Sequence, residues 1–355
     1  DAVIGNAVML FLAVSVVLAA VLTALVQPIL SIMSTPAEAV PGAAAYLTIC
    51  FIGIPCITAY NIIASIFRGL GDSRSPMYFI AVACAANIGL DYLFMGALHM
   101  GPAGAVLGTT LAQGISVIVS LGVILRRKSG IRLHKSDLRP QKNVIGRILR
   151  IGLPAGIQSA VFSVSNIVIQ AGINSLGTVV MAASSAALNL ELMAYFVLNS
   201  FSQACTTFVG QNYGAGRLDR VKKGTWVTLA MGLVYTLATG ALLLLGQDAI
   251  MHLFTNDETV VFFGEAAMHW FCPFYFLLSI LHGLAGAVRG TGASVPPMVV
   301  LLVSLCLFRI VWIQWVLPLF SGIEGVFILY PVSWALGAGL MILYAWKGKW
   351  MEYHA

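Results

Sequence analysis

Arg68-Gly69-Leu70-Gly71-Asp72-Ser73-Arg74-Ser75-Pro76-Met77 returns 221 residues later as Arg289-Gly290-Thr291-Gly292-Ala293-Ser294-Val295-Pro296-Pro297-Met298. The same offset pairs Gly101 and Gly104 with Gly322 and Gly325, Ile29 with Ile250, and Arg126 with Lys347. Self-similarity at a fixed spacing marks a duplicated fold. Both copies lie between long apolar runs, so the duplicated object is a set of membrane helices. A Gly-rich loop also suggests phosphate binding, but no strand precedes either copy, and both read as tight turns.

Outward from these turns the chain is 59% hydrophobic and only 9% charged over 355 residues, where a soluble domain carries about 25% charged residues. It reads as an all-α integral membrane protein with no room for a soluble domain. The apolar runs are too long for core helices and lack the alternation of a barrel strand. They predict ten spans, roughly 6–29, 42–66, 77–98, 103–125, 152–174, 179–207, 225–246, 260–284, 297–318 and 325–346.

Charge orients the spans. All of the 19 Lys and Arg residues except Arg309 fall in alternate connections or in the tail, from Arg68 and Arg74 to Lys347 and Lys349. The opposite connections hold acids, namely Glu38, Asp248, Asp257, Glu258 and Glu324. The positive-inside rule makes the basic side cytoplasmic, together with Asp1 and Ala355. The expected location is the inner, plasma membrane of a bacterium. The net charge of +6 is then topological and implies no nucleic-acid partner. Six cysteines lie inside apolar runs without CxxC or His clustering, which suits packing and predicts neither a disulfide, a metal site nor a cofactor.

Both copies of the repeat face the same way, as in transporters whose halves are related by an axis along the membrane normal. The reading divides the chain into an amino-terminal lobe (1–125), a basic linker (126–151) and a carboxy-terminal lobe of six helices (152–355). Residues 222–349 match 1–128, yet two more helices precede 222. Their counterparts would lie before Asp1, so the repeat predicts a twelve-helix parent with four amino-terminal helices present here. In the linker, Asn143–Ile151 alternates Val144, Ile145, Ile148 and Leu149 with Arg147 and Arg150, the pattern of an interfacial amphipathic helix on the inner leaflet.

Within span 77–98, Asn87 and Asp91 lie one turn apart on one face. A carboxylate at membrane depth costs about 3 kcal/mol on insertion scales and marks a functional site by default. Asp91 precedes the outer turn near His99–Gly101 by about as many residues as Thr109 follows it, which puts both on the order of 10 Å below the outer surface. Gln113 is one turn below Thr109, and Gly101, Ala103, Gly104, Ala105 and Gly108 let the two helices approach closely. Carboxylate, amide and hydroxyl oxygens suit a proton or Na⁺. The alternative, a polar packing cluster, is disfavoured by the repeat, because the counterparts of Asn87, Asp91, Thr109 and Gln113 are Phe308, Trp312, Tyr330 and Trp334.

Glu191 and Arg309 also lie at membrane depth, either pairing structurally or facing a cavity. Tyr46, Tyr60 and Asn61, with Gln113, are candidates to line a cavity for flat cationic ligands. Pro55 and Pro154 are candidates to bend their helices.

Gln211-Asn212-Tyr213-Gly214-Ala215-Gly216, the two Arg-Gly-x-Gly turns, and Asn87-Ile88-Gly89-Leu90-Asp91 followed by Gly101–Gln113 resemble the multidrug and toxic compound extrusion (MATE) transporters over the whole chain. The resemblance implies twelve helices in two six-helix lobes and export of cationic or amphipathic compounds by antiport against Na⁺ or H⁺. It implies that Asn87, Asp91 and Thr109 match the coupling cluster of the DinF-like branch. That branch has a second acid on a first helix that this chain does not contain. The NorM-like branch uses a Glu in the region matching Gly152–Phe162, which has no acid here.

The expected function is therefore a secondary active exporter, monomeric, surrounded by lipid and working by alternating access. A lipid or lipid-linked precursor flippase on the same architecture is the alternative, and would need a broad basic cavity. A membrane enzyme would need a nucleophile with a base, a metal set or paired acids at one depth, and none is present in the sequence.

Overall fold

The computed structural model describes residues 1–32, 35–126 and 134–352. Among them, ten helices are long and apolar enough to cross a membrane. They are α1 (Ala2–Ala24), α2 (Val40–Gly69), α3 (Arg74–Ala97), α4 (Pro102–Arg126), α5 (Lys142–Asn174), α6 (Thr178–Gly214), α7 (Leu218–Leu245), α8 (Glu258–Gly290), α9 (Val295–Leu319) and α10 (Glu324–Lys347). Each predicted span finds its helix, and no described residue lies in a strand. The chain divides into two units, Asp1–Ile148 and Leu149–Ala355, at a boundary within the 126–151 stretch. Residues 127–133 of that stretch lie outside the described residues.

Asn143–Ile151 is helical but not a separate segment; it forms the opening turns of α5, which runs unbroken through Gly152 and Pro154. Proline removes only its own donor and crowds only the carbonyl four residues back, here that of Arg150, so a helix well formed on both sides passes through it. Pro55 behaves differently. α2 breaks at Gly53 between Val40–Ile52 and Ile54–Gly69, and Pro55 occupies the second position of the resumed helix, where its missing N–H costs nothing. A Cβ on Gly53 would lie 2.7 Å from the Thr110 side chain of α4, so glycine here permits the close α2–α4 approach.

The duplication is visible element by element. The second part of α2 runs Ile54–Gly69, and the matching part of α8 runs Tyr275–Gly290, shifted by 221 residues at both ends. After each, the tight turn places Gly71 at φ 89° and Gly292 at φ 90°, a conformation that a side chain would strain. Their N–H groups donate to the carbonyls of Arg68 and Arg289, each at 3.0 Å. A π-helical turn interrupts α3 at Tyr92–Ala97 and α9 at Trp312–Val316, beginning within one residue of the same repeat position.

Lipid is as apolar as the helix surfaces, so van der Waals packing and interhelical hydrogen bonds hold such bundles together. In the first unit, Tyr60, Ala64, Phe67 and Phe79 form a small core, with Phe67 and Phe79 edge to face at 5.6 Å. Buried Ser116 donates to the Phe79 carbonyl at 2.9 Å and ties α4 to α3. In the second unit, α8 is central and buries Leu281, Ala285 and Val288. A Cβ on Gly286 would meet the Ser202 carbonyl at 2.5 Å, so α6 and α8 touch backbone to backbone.

Candidate functional site

In the first unit, α3 and α4 turn back on each other through His99 (φ 50°) and Gly101 (φ 68°). Asn87 Nδ2 donates to Thr109 Oγ1 at 3.2 Å, and Thr109 Oγ1 donates to the Ala105 carbonyl at 3.1 Å. Thr109 thus bonds Asn87, one turn deeper than Asp91, the residue that counting from the turn placed at its level. One turn beyond Asn87, Asp91 presses its carboxylate against Gly108: a Cβ there would sit 2.6 Å from Asp91 Oδ1. That oxygen is buried and has no hydrogen-bond partner. A buried acceptor without a donor costs about 1–3 kcal/mol, and more for a charged group.

Further along α4, Gln113 Oε1 is likewise buried without a partner. The π turn starts at Tyr92, directly after Asp91, and such turns occur frequently at functional sites. The donor set is one carboxylate, two amide side chains and a hydroxyl, all hard oxygen groups that fit a proton or Na⁺ and not a soft transition metal. Among the described residues no group of three or more His, Cys, Asp and Glu side chains is arranged to hold a metal ion.

The aromatic candidates of the first unit divide. Tyr60 is buried in the small core with Ala64, Phe67 and Phe79. Tyr46 is exposed on α2, and Asn61 donates to the Ile57 carbonyl of its own helix at 2.9 Å.

Glu191 and Arg309 line one cavity of about 340 Å³ in the second unit. They form no ion pair among the described residues. Arg309 instead donates from Nε to Ser333 at 3.1 Å and lies over the Tyr330 ring at 4.7 Å from its centroid. The same cavity is lined by Tyr195 and His282, two residues not singled out from the sequence. His282 sits edge-on to Tyr195 at 5.1 Å, and its Nε2 has no hydrogen-bond partner. A histidine inside the apolar run Ile280–Leu284 was the available signal, by the same logic that singles out Asp91.

The chain is similar to known proteins over most of its length. The MatE family model matches residues 2–93 and 154–314. The probable multidrug resistance protein YpnP of Bacillus subtilis is 29% identical over 325 residues, covering 91% of this chain and 72% of YpnP. The probable multidrug resistance protein NorM of Thermotoga maritima is 26% identical over 355 residues, covering 97% of this chain and 75% of that protein. In fold, the chain resembles a solved MOP superfamily transporter from Pyrococcus furiosus Vc1, with a TM-score of 0.86 at 19% identity over 96% of this chain and 77% of that one. Ten spans, a duplicated helix set and a family match over most of the length lead to one assignment: the chain belongs to the MatE family of multidrug efflux transporters.

Proposed function

We propose that this protein exports cationic or amphipathic small molecules by antiport against H⁺ or Na⁺, through alternating access. Asp91 is the group that cycles between ion-loaded and free forms, and Asn87 and Thr109 complete its shell. The supporting observation is the buried Asp91 Oδ1, unpartnered against Gly108 and one helical turn from the Asn87–Thr109 hydrogen bond. An unpaired acceptor in an apolar helix pair is a place where a proton or Na⁺ binds at a net gain. Ion and cationic substrate then compete for one negative charge. This acid lies in the first unit, and Gly152–Phe162 has none, which supports a place nearer the DinF-like branch.

In this proposal the basic connections and both ends of the chain face the cytoplasm of a bacterial plasma membrane. One cation moving inward down about 100 mV releases about 2.3 kcal/mol, which sustains roughly a fiftyfold gradient of a neutral substrate. For a monovalent cation exchanged one for one, the charge movement cancels and only the ion's chemical gradient drives export.

The test is substrate-stimulated H⁺ and Na⁺ flux in proteoliposomes with the wild-type protein and Asp91→Asn. The variant should fold and bind detergent like the wild type, yet lose ion-driven transport. Wild-type transport by Asp91→Asn would overturn the assignment.

A further inference from the structure

We infer that the second unit carries a binding site for an anionic phospholipid on its basic side. α7 and α10 both pack on α8 and leave between them a groove of about 650 Å³. Its walls include Lys222, Trp226 and Leu233 of α7, Leu284 of α8, Trp346 of α10, and Trp350 beyond it. Trp350 is held in place by donating its indole N–H to the Ala345 carbonyl at 3.0 Å.

The groove is graded along its length. Lys222 is exposed and forms no ion pair among the described residues. Trp226 and Trp346 are 73% and 82% exposed at the next level, the position that interfacial aromatic residues take at a membrane surface. Beyond them the walls are aliphatic. From Lys222 to Leu233 the helix rises about 16 Å, close to the roughly 15 Å of one leaflet's hydrocarbon half. An acyl chain laid in the groove would leave its phosphate at Lys222, with Lys223 and Arg220 on the same helix end, and a basic rim between helices is the setting that recognises anionic headgroups.

The repeat shows that this face is one that gets covered. In the first unit the counterparts of Trp226 and Val227 are Gly5 and Asn6, both buried. There the chain's own segment lies over α1. A side chain on Gly5 would run into the Asp137 carbonyl, and Asn6 Oδ1 accepts from the Gln141 N–H at 2.8 Å. In the second unit the groove wall is open at the matching position: Trp226, 73% exposed, replaces the glycine that admitted the peptide. Where one half is sealed by polypeptide, the other offers an apolar trough with a lysine at its mouth.

Reconstitution into phosphatidylcholine vesicles carrying either brominated phosphatidylglycerol or brominated phosphatidylcholine tests this through quenching of tryptophan fluorescence. The wild type should be quenched preferentially by the brominated phosphatidylglycerol. Lys222→Gln, an exposed substitution that leaves packing alone, should reduce that preference about fivefold. Ala230→Phe, which fills the groove, should abolish it, and native mass spectrometry should show the loss of one retained phosphatidylglycerol. Equal quenching by the two lipids in the wild type would mean ordinary surrounding lipid and would overturn the site. So would a preference that survives Lys222→Gln, or a dimer in native mass spectrometry that Ala230→Phe dissociates, since a second copy would then be the occupant.

Discussion

The α3–α4 pair of the first unit and the α9–α10 pair of the second share a backbone plan and differ in what fills it. Both follow a tight turn with a left-handed glycine, and both contain a π turn at the same repeat position. Where the first pair holds Asn87, Asp91 and Thr109, the second sets Phe308 at a tilt against Trp312 at 5.9 Å and packs Tyr330 against Trp334 at 6.2 Å. Trp312 ties the second pair by donating to the Gly325 carbonyl at 2.8 Å. Gly108, which admits the Asp91 carboxylate, becomes Leu329, fully buried. The second helix pair therefore forms without a polar cluster, and the cluster of the first is a feature of one copy of a fold that packs without it in the other.

The most severe test of that contrast is Asp91→Asn, for which ion-driven transport should fall to the level of protein-free vesicles while thermal stability is unchanged. A variant that unfolds would make Asp91 a packing residue like its counterpart. In the other pair, Trp334→Ala removes a ring that contacts Phe271, Tyr275 and Tyr330 and should lower stability by about 3 kcal/mol. Thermal denaturation in detergent would show it, and a stable variant would mean that the aromatic set is not structural. Gly108→Ala sharpens the comparison, since the added methyl displaces the Asp91 carboxylate. Coupled flux should drop roughly tenfold, the equivalent of about 1.4 kcal/mol, with a much smaller change in melting temperature. A loss of stability that matched the loss of flux would remove the distinction.

The smallest effect concerns a hydrogen bond that both units share. Ser31 donates to the Gln27 carbonyl at 3.1 Å, and its counterpart His252 bonds the Asp248 carbonyl at 2.8 Å, with Glu258 3.4 Å from the other ring nitrogen. The Asp248 carbonyl and then the Glu258 carboxylate hold the His252 pKa above its ordinary value. A raised pKa in the folded state stabilises fully below the unfolded value of about 6.5 and fades as pH rises through the folded one. The melting temperature of the wild type should therefore fall slightly with rising pH above about 6.5 relative to His252→Ser, whose difference curve should be flat.

The ten spans were legible because hydropathy over some twenty residues is a strong signal, and the repeat was legible because glycine and proline recur at one offset. Counting residues away from the short turn brought Asn87, Asp91 and Thr109 to one stretch of the helix pair but matched Thr109 with Asp91, whereas Thr109 bonds Asn87 and Asp91 faces Gly108, because side-chain reach shifts partners by a turn. The merging of Asn143–Ile151 into α5 was hidden, because alternating apolar and basic residues describe the start of a span as well as a surface helix. The packing of Tyr60 with Phe67 and Phe79 was not legible, because an aromatic ring in an apolar helix reads the same whether it faces a cavity or a core. The π turn left no mark at all: Tyr92–Ala97 has no proline and its composition suits an α-helix. The covering of Gly5 by Asp137 depends on a contact 132 residues away in sequence, which no local pattern announces.

The paired π turns also carry chronology. Such a turn is one extra residue in a helix, rotating everything beyond it by about 100°. Two independent insertions at one repeat position are a less economical history than a single one that the duplication copied. The turn beginning at Tyr92 and Trp312 then belongs to the shared plan, while α9 carries a further π turn at Leu302–Leu307 that α3 lacks. Each half thus combines one element common to both copies with one of its own, the acid before the shared turn in α3 and the additional turn in α9.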